Sequence, residues 1–431
     1  MKLNKPKNPN YAAIVVQINT LVPLENCDNV QGAIIMGNQV IVEKDVKIGD
    51  VGIYFPLEAQ LSTEYLKNNN LYRKKELNID DTKAGYFEEN GRIRCIKFRG
   101  NKSEGLFMPM ESLQFAAVLE LELGSEFDEL NGIEICRKYV VKVRQSNGIS
   151  VTKGKGRKAR ESKLIDNQFR FHEDTSMLYK NLHKINPDSL IHISYKMHGT
   201  SGISSYVLCK RNHSLIEKLA LMIGISVKTE EYDYIYSSRK VIKNPDLNPN
   251  AQHYYSEDVW GAAHKILEPF LQKGMTFYYE IVGYTSGGKA IQSKYDYGQQ
   301  LGTFGIYIYR ITSTNADGKV IEFNGRQVQE FCKKNGLNAV PQLFSGYADY
   351  FIGKPQQEIS DRDFQEEFLA KIKALYNEKD CFMCENTVPE EGCVIRIEGL
   401  DFEAYKAKSN AFYERETKLL DKGEVDIEEE N

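Results

Sequence analysis

The sequence predicts an α+β protein in which a small barrel of short β-strands precedes a larger domain of strands and amphipathic helices. Three observations support this fold class. At 431 residues the chain is too long for one ordinary hydrophobic core. The first third consists of short β-branched runs separated by turn residues. Apolar stripes at helical spacing are found in the second half, mixed with further strands.

The first domain is predicted over residues 1–150. Its strand candidates are YAAIVVQI, QGAIIM, NQVIVEK, VGIYFP and two more within GRIRCIKFRGNKSEGLFMP. Several short strands in about 110 residues indicate a small barrel or sandwich. An OB-like barrel offers a groove for single-stranded nucleic acid, and Arg99 and Lys102 would suit its wall.

A basic linker is predicted over residues 151–165, where glycine and lysine alternate. The whole chain has a net charge of −4, but Lys153, Lys155 and Arg157 concentrate positive charge in this segment. Such a segment fits either a solvated surface or contact with a phosphate backbone, and composition leaves both interpretations open. The acidic tail, residues 421–431, is predicted to be disordered.

The second domain is predicted over residues 166–420 and contains two clear amphipathic helices. In SEDVWGAAHKILEPFLQKG, where Ser256 could cap the start, the residues on one side are Val259, Ala263, Ile266, Leu267 and Phe270. In DRDFQEEFLAKIKALYNEK, the apolar stripe is Phe364, Phe368, Ile372 and Leu375. Both stripes are expected to face the core of this α+β domain.

Composition and the N-terminus argue against membrane and secreted proteins. There is no run of about 18 apolar residues, and MKLNKPKNPN leads into no apolar signal core. The eight cysteines are scattered, which fits reduced thiols in a cytoplasmic protein. Cys381 and Cys384 form a CxxC without a second ligand pair, so two ordinary thiols are favoured over a zinc site.

The stretch SYKMHGTSG places Lys196 at the end of an apolar strand, immediately before a tight turn. A lysine that is partly desolvated there has a lowered pKa and can supply a free amine as a nucleophile. Gly199 would let the backbone approach a phosphate closely, and Thr200 and Ser201 supply hydroxyl groups. A strand-end lysine by itself is more often a surface or salt-bridged residue.

Further motifs follow Lys196 in order and strengthen the case. They are Arg239 in YSSRKVIK, Glu280 in YYEIVGY, Phe304 and Tyr307 in LGTFGIYIYRI, Glu391 in EGCVIRIEG, and Lys406 and Lys408 in FEAYKAKS. The last two lysines are two positions apart and share one face of a strand. Carboxylates can hold a ribose hydroxyl and a divalent metal, cations can hold phosphates, and an aromatic ring can stack on a base. Together these residue types describe a nucleotide pocket with a nucleophile.

These motifs, from KMHG through EG to KAK, resemble those of the covalent nucleotidyltransferases: RNA ligases, DNA ligases and mRNA capping enzymes. KMHGTS is similar to the branch that contains the RNA-editing ligases, in which histidine replaces aspartate. GDVGIYFP and KFRGNKSEG resemble RNA ligases that carry an OB domain ahead of the catalytic domain. The resemblance implies a nucleotidyltransferase domain of antiparallel sheets flanked by helices.

The resemblance also implies a role for each site residue. Lys196 would be linked to AMP, Glu280 would bind the ribose, and Glu391 would engage Mg²⁺ or Mn²⁺. The remaining implied roles are Phe304 stacking on adenine (with Tyr307 as the substitute), Arg239 contacting the nucleotide or RNA phosphate, Lys406 and Lys408 contacting the α-phosphate, and His198 shaping the turn. Lys289 and Lys294 are candidates for RNA contact, although an exposed loop lysine is usually not specific.

The predicted function is therefore an ATP-dependent RNA ligase that joins 3′-hydroxyl and 5′-phosphate RNA ends, expected to act as a monomer. DNA ligases and capping enzymes, the first alternatives, place an OB domain after the KxK motif, and here only 23 residues follow Lys408. A non-catalytic nucleic-acid-binding protein with a vestigial pocket is the other alternative. The presence of Lys196, Glu391 and Lys408 together counts against it.

Overall fold

The computed structural model describes residues 3–117, 121–140, 163–245, 247, 255, 257–354 and 360–421. Most of the predicted basic linker, with Lys153, Lys155 and Arg157, and the tail from residue 422 lie outside these residues. The predictions for both segments, and the exact domain boundary, therefore stay predictions. No helix in the described ranges is long and apolar enough to cross a bilayer.

The N-terminal domain is built almost entirely from short strands. Its elements are β1 (Ala13–Gln17), β2 (Leu21–Val22), β3 (Val30–Ile35), β4 (Asn38–Glu43), β5 (Val51–Phe55), β6 (Ala59–Leu61), α1 (Thr63–Asn68), β7 (Ile96–Phe98), β8 (Asn101–Ser103), β9 (Leu106–Pro109), β10 (Glu126–Phe127), β11 (Glu129–Leu130), β12 (Ile133–Glu134) and β13 (Cys136–Lys138), with 3₁₀ turns at Pro9–Tyr11, Lys75–Leu77 and Met110–Ala116. The four quoted β-branched runs are strands, as predicted. The last stretch forms three strands instead of two, because turns at 99–100 and 104–105 divide it.

Strand β1 is apolar on both faces because it lies between two cores. The main sheet has the order β10-β1-β5-β9, and a second sheet has the order β2-β3-β4. Val15 and Ile53 belong to one buried cluster, whereas Ile14 and Tyr54 belong to another. A strand buried on both sides reads as a continuous apolar run, which is the pattern of AIVV in the sequence.

The C-terminal domain contains two larger sheets. Its elements are β14 (Ser176–Met177), β15 (Leu190–Tyr195), β16 (Thr200–Lys210), α2 (Leu215–Met222), β17 (Glu230–Ser238), α3 (Val259–Leu267), β18 (Met275–Gly283), β19 (Phe304–Thr314), β20 (Val320–Glu322), α4 (Gly325–Asn335), β21 (Asn338–Ala339), β22 (Gln342–Tyr347), α5 (Ala348–Ile352), α6 (Asp361–Tyr376), β23 (Gly392–Ile397), β24 (Glu403–Lys408) and α7 (Asn410–Asp421), with 3₁₀ turns at Leu178–Lys180, Leu182–Lys184 and Glu268–Phe270. The sheets have the orders β17-β16-β18-β19-β20 and β14-β24-β23-β15-β22. Among the described residues, the strand pairs of these two sheets are antiparallel apart from β14–β24 and β19–β21.

The helix α3 differs in two respects from its prediction. Asp258 caps its start by accepting a hydrogen bond from the backbone N–H of Gly261 at 2.9 Å, whereas the predicted cap, Ser256, lies outside the described residues. Ile266 is 51% exposed, so its predicted place on the buried side is wrong. Trp260 and His264 take that face, because a stripe of period 3.6 through Val259 and Leu267 includes them.

The helix α6 follows its prediction closely. Phe364, Phe368 and Ile372 are buried, and Ser360 caps the start of the helix. Leu375 is only partly buried, and Leu369 and Tyr376 complete the buried face. The helix therefore packs against the second sheet, in which β24 carries Lys406 and Lys408 and β23 begins directly after Glu391.

Helix α7 connects the sheet that contains β24 to the barrel. Asp421, at its end, forms ion pairs with Arg92 at 3.5 Å and Arg94 at 3.2 Å, and Glu414 pairs with Lys102 at 2.9 Å. These partners belong to the N-terminal domain. Because α7 starts two residues after β24, the barrel packs next to the end of the strand that carries the KxK motif.

Candidate nucleotide-binding site

Lys196 follows the end of β15, a strand whose apolar residues Ile191 and Ile193 are fully buried. Its backbone N–H donates to the carbonyl of Gly392 at 3.0 Å, which ties it to the neighbouring strand β23. The amine lies 2.7 Å from Glu391 Oε1, and the side chain is 18% exposed. The strand end therefore places the amine next to Glu391 and largely away from bulk solvent.

Glu391 lies at the centre of the charged groups. Lys408 Nζ is 3.5 Å from the same Oε1 that contacts Lys196, so one carboxylate oxygen forms ion pairs with both lysines. Gly392 makes this arrangement possible: its φ is +143°, and a Cβ there would lie 2.0 Å from the carbonyl oxygen of Ala407. The backbone beside Glu391 thus approaches β24 more closely than another residue would allow.

The two lysines of β24 differ in electrostatic environment although they share a face. Burial, followed by the charges of Lys408, Lys196 and Arg239, lowers the pKa of Lys406 to about 7. Burial also acts to lower the pKa of Lys408, but the carboxylates of Glu416 and Glu391 outweigh it and raise that pKa well above its usual value. Lys408 is therefore a permanent cation, whereas Lys406 can change charge near neutral pH.

Glu280 lies on β18 and is held in place by the turn after Lys196. Its carboxylate accepts hydrogen bonds from the Gly199 backbone N–H at 3.1 Å and the Ser201 hydroxyl at 3.0 Å. A Cβ on Gly199 would lie 2.2 Å from the carbonyl oxygen of Ile281. The close approach of β18 already requires a glycine here, so the predicted reason, room for a phosphate, is not needed to explain it.

Strand pairing assigns the hydroxyl and aromatic residues to faces. Residues directly opposite each other in antiparallel strands point to the same side of the sheet. Ser201 pairs with Glu280, and Glu280 pairs with Tyr307, so these three share a face. Thr200 and Phe304 lie one and three positions away and therefore point to the other face.

The opposite face is part of the hydrophobic core. Thr200 is 2% exposed, and Phe304 packs against the apolar cluster that includes Trp260 and Ile281. Thr200 and Phe304 therefore lie on the core side of the sheet and not on the side of Glu280, which corrects the nucleotide contacts predicted for them. Tyr307, the substitute for stacking named above, lies on the same side as Glu280.

His198 is held by aromatic residues. Its backbone N–H donates to the Tyr297 hydroxyl at 2.6 Å, and its ring meets Tyr295 and Phe412 edge to face at 4.8 and 4.9 Å between centroids. This packing fits a role in shaping the turn. The prediction of a direct nucleotide contact for His198 has no support from these contacts.

Arg239 belongs to the pocket wall. It forms an ion pair with Asp174, and its charge contributes to the lowered pKa of Lys406. Asp174 was not identified from the sequence, because it lies ahead of the motifs and only the fold brings it to Arg239. Glu416 and Gln292 were also missed, because neither belongs to a motif and only the fold brings them to the site. Glu416 reaches Lys408 at 3.6 Å, and Gln292 donates to the Gly199 carbonyl at 2.8 Å.

The roles of the predicted RNA-contacting residues stay predictions. Lys289 and Lys294 are exposed, with Lys289 Nζ 5.6 Å from the centre of the Tyr255 ring. Arg99 is exposed at the turn between β7 and β8. Lys102 is only 19% exposed and pairs with Glu378 and Glu414, so two carboxylates already match its charge.

A divalent metal would fit this site only together with a nucleotide. Within the described ranges no group of three or more histidine, cysteine or acidic residues could hold a metal. Mg²⁺ commonly binds through one or two carboxylates together with substrate phosphates. Glu391 Oε2 is buried and has no hydrogen-bond partner among the described residues, so it is suited to such a ligand.

Comparisons with known proteins agree with this architecture. A family model described as an OB-fold domain matches residues 12–110. No curated protein matches the chain. A variant of a Naegleria gruberi RNA ligase solved with AMP and manganese has 17% identity and a TM-score of 0.55, over 94% of this chain and 98% of that chain. A second variant of that ligase, solved with ATP and manganese, has 16% identity and a TM-score of 0.56 over the same shares. The protein therefore has an N-terminal OB fold followed by an α+β domain of antiparallel sheets and helices, the fold of that ligase.

Proposed function

We propose that this protein is an ATP-dependent RNA ligase that joins a 3′-hydroxyl end to a 5′-phosphate end through a lysyl-AMP intermediate. One observation carries the proposal: Lys196 and Lys408 converge on a single oxygen of Glu391, and all three side chains are largely buried. A nucleophilic amine, a buried carboxylate and a permanent cation are the groups that nucleotidyl transfer needs at one place. The fold shared with the Naegleria gruberi ligase supports the same reaction class.

In the first step the amine of Lys196 attacks the α-phosphorus of ATP. A nitrogen–phosphorus bond forms, the bond to pyrophosphate breaks, and the amine loses its proton. Lys408, held charged by Glu391 and Glu416, stabilises the negative charge that develops on the phosphate. Magnesium or manganese, when bound through Glu391 and the phosphates, would supply further charge stabilisation.

In the second step AMP passes from Lys196 to the 5′-phosphate of RNA, and in the third the 3′-hydroxyl displaces AMP. Glu280 is placed to bind the ribose, because the Gly199 N–H and the Ser201 hydroxyl fix its carboxylate. Tyr307 is the proposed stacking partner of adenine, since it shares the face of Glu280. Arg239 would contact the nucleotide or the RNA phosphate. The OB domain would bind RNA through Arg99, and Lys289 and Lys294 of the C-terminal domain would add RNA contacts, together with Lys153, Lys155 and Arg157.

Labelling with radioactive nucleotide tests the first step. ATP with a divalent metal should leave AMP on the protein, and Lys196→Ala should abolish this label. The matched control is Lys334→Ala, an exposed lysine of α4 that should keep full labelling. Labelling by GTP instead would favour a capping-type enzyme, and no labelling by either nucleotide would favour the vestigial-pocket alternative.

Joining assays test the later steps. Nicked RNA on RNA and on DNA templates should be sealed, with the adenylylated 5′ end visible as an intermediate. Sealing of nicked DNA at an equal rate would contradict the preference for RNA.

A further inference from the structure

The loop between α6 and β23 carries a pair of cysteines that the proposed reaction does not use. Its ends are drawn together, because the Cys381 N–H donates to the Val388 carbonyl and the Glu390 N–H donates to the Lys379 carbonyl, each at 2.8 Å. The sequence Cys381-Phe382-Met383-Cys384 forms the turn at one end of this hairpin-like loop. The other end runs directly into Glu391, the central carboxylate of the site.

The turn holds the two cysteines close together, because the backbone N–H of Cys384 donates to the carbonyl of Cys381 at 3.4 Å. The neighbouring Cys381 thiol lowers the pKa of the Cys384 thiol. Cys384 is also the only half-buried cysteine, whereas the other seven are buried, including Cys381 at 6% exposure. Since all eight cysteines lie in described ranges, Cys384 is the thiol a small reagent reaches most readily.

The same turn packs against the nucleophile. The ring of Phe382 lies 4.7 Å from that of Tyr195, the residue immediately before Lys196. Cys381 shares a buried cluster with Met197, the residue immediately after Lys196, and Met383 and Cys384 pack against that cluster. A change in the shape of the turn would therefore act on both neighbours of the reactive lysine.

We propose that Cys381 and Cys384 form a reversible redox modification site for small-molecule disulfides, and that its oxidation slows adenylylation of Lys196. The expected effect of oxidation on adenylylation rests on the function proposed above. Formation of the disulfide does not depend on that function. The two sulfur atoms would be joined by a covalent bond of about 2 Å, which constrains the CxxC turn.

The chemistry is thiol–disulfide exchange. The Cys384 thiolate attacks one sulfur of a small disulfide RSSR, the S–S bond breaks, and RS⁻ leaves. The Cys381 thiol then gives up its proton to RS⁻ and its sulfur attacks Cys384 Sγ, displacing the second RS⁻, which takes up the proton of the original Cys384 thiol. The protein loses two electrons, RSSR gains two, and two RSH molecules result.

The experiment uses the full-length protein and oxidised glutathione as the probe, followed by alkylation of free thiols and peptide mapping by mass spectrometry. We expect one disulfide, between Cys381 and Cys384, that dithiothreitol reverses. Cys381→Ser should trap glutathione on Cys384, and Cys384→Ser should form neither product. Cys332→Ser, which changes a buried cysteine of α4, is the control and should behave like wild type.

Two readouts measure the effect on the site. We expect oxidised wild type to form lysyl-AMP about tenfold more slowly than reduced protein, since small displacements of reacting groups have effects of this size or larger. The double serine variant should show no dependence on glutathione. Hydrogen exchange of the backbone at residues 195–199 should also change on oxidation, and this readout does not require activity.

The outcomes separate the two proposals. If both thiols of the wild-type protein can still be alkylated after treatment with oxidised glutathione, the modification site is refuted. This result does not depend on whether the serine variants fold. If the disulfide forms without changing either labelling or hydrogen exchange at 195–199, the coupling is refuted. Reduced protein that never acquires AMP would refute the proposed function, while mapping and hydrogen exchange would still decide the redox inference.

Discussion

Positive charges have different surroundings in the candidate nucleotide site and on the barrel. In the pocket, Lys196 and Lys408 share one oxygen of Glu391, a residue that is 2% exposed at its side chain. On the barrel, Arg99 is exposed, whereas Lys102 is bound to Glu378 and Glu414 at the contact between the domains. Clustered cations therefore point to a candidate catalytic site only where they converge on a buried carboxylate such as Glu391. Elsewhere they hold domains together or lie in solvent.

The largest effect on adenylylation is expected from substitution of Glu391, the carboxylate that Lys196 and Lys408 share. Glu391→Gln removes the negative charge with little change of shape, so adenylylation should fall by about 10²- to 10³-fold. Glu330→Gln, an exposed glutamate on α4, should have no effect on labelling or on melting temperature. Full activity of Glu391→Gln in a folded protein would mean that Glu391 only forms structural ion pairs and takes no part in adenylylation.

The two faces of β19 should respond differently to substitution. Tyr307→Leu should raise the KM for ATP by about tenfold, since base–aromatic stacking contributes about 1–3 kcal/mol, and it should leave stability nearly unchanged. Phe304→Ala should lower the free energy of unfolding, by about 1–3 kcal/mol for a partly buried ring. The measurements are steady-state kinetics and denaturant unfolding. A KM effect at Phe304 and none at Tyr307 would contradict the assignment of faces.

The pH dependence of stability should report the burial of Lys406. Its pKa is lowered to about 7 in the folded protein, below the ordinary lysine value of 10.5. Between these values the unfolded chain binds more protons, so the free energy of unfolding should rise with pH in that window. Below about pH 7 Lys406 is charged in both states, and the penalty for burying the charge is fully present.

A matched variant isolates this contribution. From pH 7 to pH 9 the wild type should gain on the order of 1–2 kcal/mol relative to Lys406→Met, which cannot titrate. Chemical denaturation at several pH values measures the difference. Parallel pH profiles for the two proteins would show that the pKa of Lys406 is not lowered.

The smallest effects are expected on the barrel. Lys102→Ala should destabilise the protein by about 1 kcal/mol, because it leaves Glu378 and Glu414 without their shared cation. Arg99→Ala should change stability by less than about 0.5 kcal/mol and should weaken joining of RNA more than adenylylation. Equal loss of both activities in Arg99→Ala would remove the proposed RNA contact.

Most of the fold could be anticipated because local patterns agree with tertiary burial. The β-branched runs of the barrel and the stripe of α6 are strand and helix in the structure. The errors arose where burial depended on a distant neighbour. Ile266 fits the helical period, but Trp260 and His264 occupy the buried face in its place. Thr200 and Phe304 have suitable side chains for nucleotide binding, but strand register turns them into the core.

The sequence by itself determined which residue types were available and in what order: a lysine at a strand end, two carboxylates, an aromatic strand and paired lysines. Short-range rules of periodicity and turn chemistry were enough to place them on strands and turns. Only the tertiary structure decided that Lys196 and Lys408 meet at Glu391, that Glu416 makes Lys408 a permanent cation, and that the CxxC turn packs beside Lys196. These contacts join residues far apart in the chain, and their strength depends on burial, which no local pattern encodes.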